Sequence, residues 1–225
     1  MIFRLHSAPR GSIISRYANA AEVTMFFRVL ISILIGYCLG SFAAAPFFSR
    51  IFYGEDVRAF GSGNPGATNA ARVYGPLFGI LTFALDFTKG ILACWLGRLI
   101  GAEAGLALSG LAAVFGHCFP VFFRFKGGKG VSVGAAFALM IDWRIFVAAF
   151  MLFLIIAAVT RIISLGSVAA TAVVGILSLL IPDKAVLRVC GLIEALLVIF
   201  MHRSNIIRLF NEEERPLTFG SRRVR

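Results

Sequence analysis

Three short polar clusters interrupt an otherwise apolar sequence: GSGNPGATN at residues 61–69, FKGGKG at 125–130 and HRSN at 202–205. Glycine lets backbone N–H groups approach and surround an anion, while lysine and arginine supply the countercharge. Polar backbone and fixed charge are costly between membrane helices, so their grouping indicates a site and not scattered loop residues. The residue types predict that this site binds phosphate groups.

The first cluster contains three glycines and a proline, which exclude a regular helix until about Ala67. Thr68, Asn69 and Arg72 then fall on the opening turns of the next helical stretch, where free N–H groups attract anions. Ser62 adds another neutral donor. A glycine- and asparagine-rich turn between two spans is the alternative for such a loop taken alone. The density of polar groups favours a binding role.

The second cluster places Lys129 among Gly127, Gly128 and Gly130. Backbone amides and one ammonium group would therefore converge on a single phosphate. The GxxxxGK[ST] spacing of a Walker A loop is absent, so the resemblance to nucleotide-binding loops is one of principle only. A basic cytoplasmic loop is an equally good explanation for the other two cations of this region.

The third cluster follows the last apolar segment. His202 and Asn205 are three residues apart and share a helix face, while Arg203 points elsewhere. An imidazole beside a carboxamide would hold a carbonyl oxygen and a hydroxyl group together. A basic flank after a membrane span is the alternative, and it accounts for the arginine but not for His202 or Asn205.

Composition excludes the ordinary soluble class. The chain has 225 residues, of which 59% are hydrophobic and 15% charged, with a mean hydropathy of +0.90; soluble domains carry about 25% charged residues. The formal net charge of +11 lies mostly in short loops. Positive charge that orients the protein in the membrane, together with anionic lipid or phosphate substrates, explains this net charge. Nucleic acid is therefore not an expected partner. Four widely spaced cysteines without a CxxC predict neither a disulfide framework nor a metal site.

Seven apolar segments position these clusters, and they predict an all-α integral membrane protein: a compact bundle of about seven transmembrane helices, some short. The segments are 26–48, 75–98, 104–123, 131–141, 144–160, 163–181 and 186–201. A perpendicular span needs ~20 residues, so the fourth segment is short and a five- or six-span arrangement is the alternative. Asp86 and Lys89, three apart in the second segment, are expected to form a mainly structural ion pair.

With seven spans, the loops 49–74, 124–130 and 161–162 share one side with the tail after residue 201. These loops carry most of the arginine and lysine, so the positive-inside rule places all three polar clusters on the cytoplasmic face. Residues 1–24 contain no span and are expected to be a poorly ordered extension or to precede a natural start at Met25. The expected membrane domain is 25–210, followed by a cytoplasmic tail, 211–225.

Together, in this order and spacing, the motifs GSGNPGATN, GHxxPVFxxFKGGKGV and HRxNIxRL resemble those of the bacterial membrane acyl-phosphate:glycerol-3-phosphate acyltransferase family. The resemblance covers residues 25–214. The tail reads Asn211 followed by three glutamates where the family often has Gly-x-Glu, so the sequence leaves open which of Glu212, Glu213 and Glu214 corresponds. In the first span, residues 40–46 also depart from the family's frequent GSIPF.

The resemblance implies transfer of a fatty acyl group from acyl-phosphate to the 1-hydroxyl of sn-glycerol 3-phosphate, giving lysophosphatidic acid and phosphate. It implies a multi-pass protein of the bacterial cytoplasmic (inner) membrane whose partners are the two substrates and membrane lipid, with no cofactor and no obligatory protein partner. His202 and Asn205 would orient the acyl carbonyl and the nucleophile. The implied phosphate-binding set is Ser62, Thr68, Asn69, Arg72, Gly127, Gly128, Lys129, Ser167 and Arg203.

Direct acyl transfer without a covalent acyl-enzyme is the expected mechanism, because an acyl-phosphate is already activated. The base is either His202 or a phosphate oxygen of a substrate. The HxxxxD signature of acyltransferases that use CoA or carrier-protein donors is absent at all three histidines. A transporter of phosphate or phosphorylated metabolites is the alternative function, although such proteins place their sites near the midplane, often in repeated halves.

Overall fold

The computed structural model describes residues 10–218, and side-chain surroundings from residue 21 onward. Within that range every regular element is a helix, including two short 3₁₀ turns at Val57–Ala59 and Val121–Phe123. The α-helices are α1 Arg10–Gly40, α2 Ala44–Tyr53, α3 Ala67–Tyr74, α4 Pro76–Cys118, α5 Val131–Ile141, α6 Trp143–Thr160, α7 Ile163–Ser178, α8 Ala185–Met201 and α9 Arg203–Phe210. The all-helical expectation is confirmed.

The longest element, α4, is a hairpin of two arms, because its backbone leaves the helical region at Gly101 and Ala102. Ala102 adopts a left-handed φ of 53° there, which turns the chain back on itself. A Cβ on Gly97 or Gly105 would collide with the carbonyl oxygen of the other residue. The two arms therefore touch backbone to backbone, as small residues permit between membrane helices.

Small residues also seat α1 against the second arm of α4. A side chain at Gly36 would strike Ser109, and one at Gly40 would strike the backbone of Ala113. From the other helix, Gly116 packs on the carbonyl of Tyr37, so the contact is close in both directions. Dispersion between closely packed backbones takes the role that the hydrophobic effect has in soluble proteins.

The short helix α5 lies in the centre of the bundle. Its Phe137 is fully buried in a cluster with Cys94 and Leu106 of α4 and Cys190 of α8. On α8, Gly191 faces Ser178 of α7, and Gly175 of α7 faces Ala195. Helices α7 and α8 thus run side by side in opposite directions, and α5 packs between them and α4.

Among residues 10–218, three helical stretches are long and apolar enough to cross a membrane: Ala21–Tyr53, Pro76–Phe123 and Trp143–Thr160. The pair Ala185–Met201 and Arg203–Phe210, bent by 57°, makes a fourth when it is taken as one broken span. The apolar helices α5 and α7 are shorter. The short α5 was predicted from the fourth segment, whereas the sixth segment, 163–181, was expected to be long enough to span and its helix ends at Ser178. Each of the seven predicted segments contains a helix, and two of them correspond to the arms of α4.

The first segment differs in detail from the expectation, because 26–48 is not one continuous helix. Helix α1 ends at Gly40, and the amphipathic α2 begins at Ala44 with Phe47 and Phe52 exposed. The expected boundary at residue 24 lies inside α1, which begins at Arg10. Residues 1–9 and 219–225, parts of the expected extension and tail, lie outside the described residues.

Candidate active site

A single cavity of about 1530 Å³ is lined by residues from all three polar clusters, which the fold brings together at one end of the bundle. The opposite end carries the α4 turn and the α7–α8 loop, joined by an ion pair of 3.2 Å between Lys184 and Glu103. The polar residues on the cavity wall are Ser62, Asn64, Thr68, Asn69, Arg72, His117, Lys129, Ser132, Ser164, Ser167, Thr171, Glu194, His202, Ser204, Asn205, Arg208, Glu214, Arg215 and Thr218.

The first loop, residues 54–66 between α2 and α3, is folded around the side chain of Asn69 on α3, which is only 1% exposed. Asn69 accepts a hydrogen bond from the backbone N–H of Ser62 at 2.8 Å. Its amide nitrogen donates to the carbonyls of Val57 and Phe60 at 3.2 and 3.1 Å. A Cβ on Gly61 would collide with the Asn69 side chain, and Gly61 has a left-handed φ of 60°. Asn69 thus fixes the shape of the loop that carries Ser62.

Arg58 connects the first loop with the second loop, residues 119–130 between α4 and α5. Its guanidinium holds Asp56 at 2.7 Å and donates to the carbonyl of Lys126 at 3.2 Å. Burial alone raises the pKa of Asp56, but hydrogen bonds from Arg58 and Arg50 lower it overall to about 2. The Asp56 carboxylate therefore stays charged at neutral pH and keeps Arg58 oriented towards the second loop.

The second loop is pressed onto the end of α4 at His117. The N–H of Gly128 donates to the His117 carbonyl at 3.0 Å, and side chains at Gly127 or Gly128 would collide with His117 atoms. Gly127 lines the cavity whereas Gly128 does not. The glycines thus allow the loop to approach His117 closely, and this approach places Lys129 at the cavity.

A buried charge cluster on α4, formed by Asp86 and Lys89, contacts the side chain of His117. Lys89 lies 2.7 Å from Asp86, which confirms the predicted ion pair. The Lys89 ammonium also donates to the Phe42 carbonyl at 2.5 Å and lies 3.0 Å from Nδ1 of His117. This cluster ties the break between α1 and α2 to the end of α4. The three partners of Lys89 reduce the cost of charge at this depth.

Helix α8 ends at Met201, and the ring of the next residue, His202, packs against its last turn. The ring nitrogen Nδ1 lies 2.7 Å from the carbonyl of Val198. A carbonyl oxygen only accepts, so Nδ1 carries the proton of the neutral ring and Nε2 is left as an acceptor. His202 is buried and lines the cavity. Arg203 lies instead over the exposed Phe200 ring at 4.8 Å and is not on the cavity wall.

Asn205 lies at the centre of a polar relay. Its Oδ1 accepts a hydrogen bond from the Lys129 ammonium, and its Nδ2 donates to Glu214 at 2.6 Å. Glu214 also accepts from Ser164 at 2.7 Å and from Arg208 at 2.6 Å. The relay therefore connects the second loop, α7, α9 and the tail across the polar end of the cavity.

Cations outnumber carboxylates in this polar end. Burial lowers the pKa of Lys129 to about 8, although Glu214 acts in the opposite direction. Burial also lowers the pKa of Arg72, and the charges of Arg208 and Arg215 add to that effect. Burial alone raises the pKa of Glu214, but its hydrogen bonds lower it overall. An arrangement of several half-buried cations around one carboxylate is suited to an anion.

The cavity continues from this polar end into an apolar groove between helices. Helix α5 contributes small residues, α6 contributes aromatic residues and α7 adds Ala170 and Val174. The apolar residues of α5 and α6 on the cavity wall are Val131, Gly134, Ala135, Ala138, Phe146, Ala149, Phe150 and Phe153. Ser132 of α5, Thr171 of α7 and Glu194 of α8 are polar residues on the same wall. The cavity is thus amphiphilic, with cations at one end and hydrocarbon surface at the other.

The structure places nine of the predicted site residues on the cavity wall, all except Gly128 and Arg203. Sequence reasoning did not select Ser164 or Arg208, and it left Glu214 among three candidates. Ser164 had a detectable signal, because it is three residues before Ser167 at the start of the same helix. Glu214 is the tail carboxylate that reaches the relay.

Comparison with known proteins identifies the family of this chain. The model of the family described as Glycerol-3-phosphate acyltransferase matches residues 30–212. A Glycerol-3-phosphate acyltransferase of Syntrophomonas wolfei is 39% identical over 186 residues, covering 83% of this chain and 95% of the relative. The Glycerol-3-phosphate acyltransferase 2 of Lactobacillus acidophilus is 38% identical over 189 residues, with 83% and 89% covered.

Two solved structures share the fold. The glycerol 3-phosphate form of PlsY, an integral membrane glycerol 3-phosphate acyltransferase, superimposes with a TM-score of 0.79 at 33% identity, covering 86% of this chain and 96% of that one. The form of PlsY described as its lysophosphatidic acid form gives a TM-score of 0.76 at 31% identity, with 84% and 94% covered. The chain therefore belongs to the glycerol-3-phosphate acyltransferase family, and it is a membrane-embedded acyltransferase.

Proposed function

We propose that this glycerol-3-phosphate acyltransferase takes its acyl group from an acyl-phosphate and transfers it directly to the 1-hydroxyl of glycerol 3-phosphate. The observation that carries the proposal is the amphiphilic cavity, in which a groove of hydrocarbon surface opens into a cluster of cations. An acyl-phosphate has the same two parts, a long apolar chain joined directly to a phosphate. The carbonyl that must be attacked would lie where the two halves of the cavity meet.

The phosphate groups are assigned to the polar end. Arg72 supplies positive charge from α3 and Lys129 from the second loop, and Ser62, Thr68 and Ser167 supply neutral donors on the same wall. Asn69 positions the Ser62 loop, because its own hydrogen bonds are made to that loop. Hydrogen bonds between charged partners contribute about 1.5–3 kcal/mol each, which is enough to hold two anionic substrates side by side.

The reaction itself is assigned to His202 and Asn205. The free Nε2 of His202 can accept a hydrogen bond from the attacking hydroxyl, and the Asn205 carboxamide lies three residues further on the same wall. Positioning of this kind contributes ~7–11 kcal/mol to catalysis of a reaction between two bound molecules. The phosphate leaves with the electron pair of the broken carbon–oxygen bond, and the hydroxyl proton goes to His202 or to a phosphate oxygen.

The active site is assigned to the cytoplasmic face of the bacterial inner membrane. The polar end of the bundle carries the loops richest in arginine and lysine, and such loops remain on the cytoplasmic side. A water-soluble acceptor would enter at this face while the acyl chain stays in the groove.

The first prediction concerns the donor. Purified protein in detergent, given palmitoyl-phosphate and glycerol 3-phosphate, should release phosphate and form lysophosphatidic acid without added CoA, carrier protein or metal. Both products should depend on the acceptor, because transfer is direct. Turnover with palmitoyl-CoA and none with palmitoyl-phosphate, measured side by side, would contradict the proposed donor.

The second prediction concerns pH. The Lys129 ammonium is present below its pKa of about 8 and is lost above it, so the apparent KM for glycerol 3-phosphate should rise as the pH increases through that value. The acceptor's own charge is constant there, since the second pKa of a phosphate monoester is about 6. In Lys129→Arg the guanidinium stays charged, so the rise should disappear. Parallel KM profiles for the two proteins would show that another group is responsible.

The third prediction compares neighbouring tail carboxylates. Glu214→Gln removes the negative charge that orients Asn205 and Arg208, and kcat/KM should fall at least tenfold, because hydrogen bonds to charged groups are worth about 1.5–3 kcal/mol. The control is Glu213→Gln, whose side chain is exposed, and it should keep the wild-type rate. Equal kinetics in both variants would remove Glu214 from the site.

The fourth prediction concerns orientation. In right-side-out vesicles, an impermeant thiol reagent should not label Lys126→Cys, on the exposed second loop, but should label Lys184→Cys at the opposite end. Inverted vesicles should give the reverse pattern. Labelling of the residue 126 variant from outside would place the active site on the other face. The starting background would be the chain with Cys38 replaced by serine, because Cys38 is exposed.

A further inference from the structure

Glu194 is an acidic residue that none of the roles described above uses. It lies in the middle of α8, on the wall of the cavity, and is only 2% exposed. His202 is eight residues further along the chain, which corresponds to ~12 Å along the helix axis. The carboxyl group is therefore deep in the apolar groove, well away from the cations of the polar end.

Nothing in the described part of the chain pairs with this carboxyl group. Its Oε2 is buried without a hydrogen-bond partner. The ion pairs among the described residues do not include it. Most buried polar groups in proteins are hydrogen-bonded, and intramembrane carboxyls usually mark a function.

The opposite helix makes room for the carboxyl group. A side chain on Gly134 of α5 would collide with Oε1 of Glu194, so the carboxyl lies directly against the α5 backbone. Gly134 also lines the cavity. Glu194 is thus the acidic group on a wall to which Ala135, Ala138 and Val174 contribute apolar surface and Ser132 and Thr171 contribute hydroxyl groups.

An unpaired carboxyl group at this depth is most stable in its neutral form, because an isolated charge is far more costly there than a neutral polar group. A neutral carboxylic acid has one O–H donor and acceptor oxygens as well. Its best partner in a narrow apolar groove is an uncharged group that can donate and accept at once. A hydroxyl group on a hydrocarbon chain has that property.

We propose that Glu194 forms a polar subsite of the acyl groove, which recognises a hydroxyl group carried near the middle of the acyl chain. The inference rests on the proposed function, since it requires the acyl chain to occupy this groove. The distance from His202 excludes a hydroxyl beside the carbonyl from the same contact. Glu194 is then a specificity-determining residue: it reduces the cost of desolvating a mid-chain hydroxyl that a fully apolar groove would reject.

The test is a competition between donors. Palmitoyl-phosphate and its mid-chain hydroxylated analogue are supplied in equal amounts with glycerol 3-phosphate, and mass spectrometry measures the two lysophosphatidic acids. The product ratio gives the ratio of kcat/KM for the two donors. Replacing Glu194 by methionine should lower the hydroxylated share about tenfold relative to wild type, as loss of one buried hydrogen bond predicts.

Two matched controls make the result specific. Glu194→Gln keeps a donor and an acceptor at the same place and should retain the wild-type ratio. An analogue whose hydroxyl is next to the carbonyl should show no dependence on residue 194. Glu194→Met removes an unpaired polar group, so it should remain at least as stable as wild type, and a thermal melt in detergent checks this.

Transfer of both donors with an identical ratio in wild type and Glu194→Met would overturn the subsite while leaving the proposed function intact. A ratio lost equally in Glu194→Gln and Glu194→Met would also overturn it, because the carboxylic acid and the amide share the chemistry on which it depends. Transfer of neither acyl-phosphate by the folded wild-type protein would instead overturn the proposed function, and the subsite with it.

Discussion

The rest of the structure depends on one constraint. An excess of positive charge is held at the edge of an apolar bundle. Arg72, Lys129 and Arg208 surround a cavity in which Glu214 is the carboxylate that reaches them. Burial makes each cation more expensive, which is why the pKa of Lys129 falls to about 8. An anionic ligand would relieve both the repulsion and the desolvation. The unbalanced cations therefore destabilise the free protein, and binding of an anion would stabilise it.

Closely packed glycines hold the charged side chains of the loops in fixed positions at the cavity. In the second loop, Gly127 and Gly128 lie against His117, and His117 is in turn supported by Lys89 and Asp86. The loop therefore cannot move without disturbing a buried ion pair. The first loop is fixed differently, through the side chain of Asn69 inside it. Two flexible sequences become two rigid loops because each is tied to a buried polar group.

Sequence alone could predict the helical segments and the grouping of the polar clusters, because apolar length and local residue type carry that information. It could not separate residues whose side chains are available to a ligand in the cavity from residues that support the surrounding loops. Gly128 and Arg203 belong to the predicted motifs but lie off the cavity, and Asn69 uses its hydrogen bonds on the loop itself. The choice of Glu214 among three adjacent glutamates depends on how the tail folds back towards Asn205. No local pattern encodes that distance.

The orientation of the Asn205 amide follows from its two partners. An ammonium only donates and a carboxylate only accepts, so Oδ1 must face Lys129 and Nδ2 must face Glu214. A substrate phosphate can bind Lys129 beside Oδ1, because an ammonium has three N–H donors and Asn205 uses one of them. Because Glu214 holds Nδ2 in place, we infer that Oδ1 remains where it is, with its second lone pair beside the bound phosphate. The second hydroxyl of glycerol 3-phosphate could donate to that lone pair while the attacking hydroxyl donates to His202, so the relay would orient the acceptor beside the bound anion.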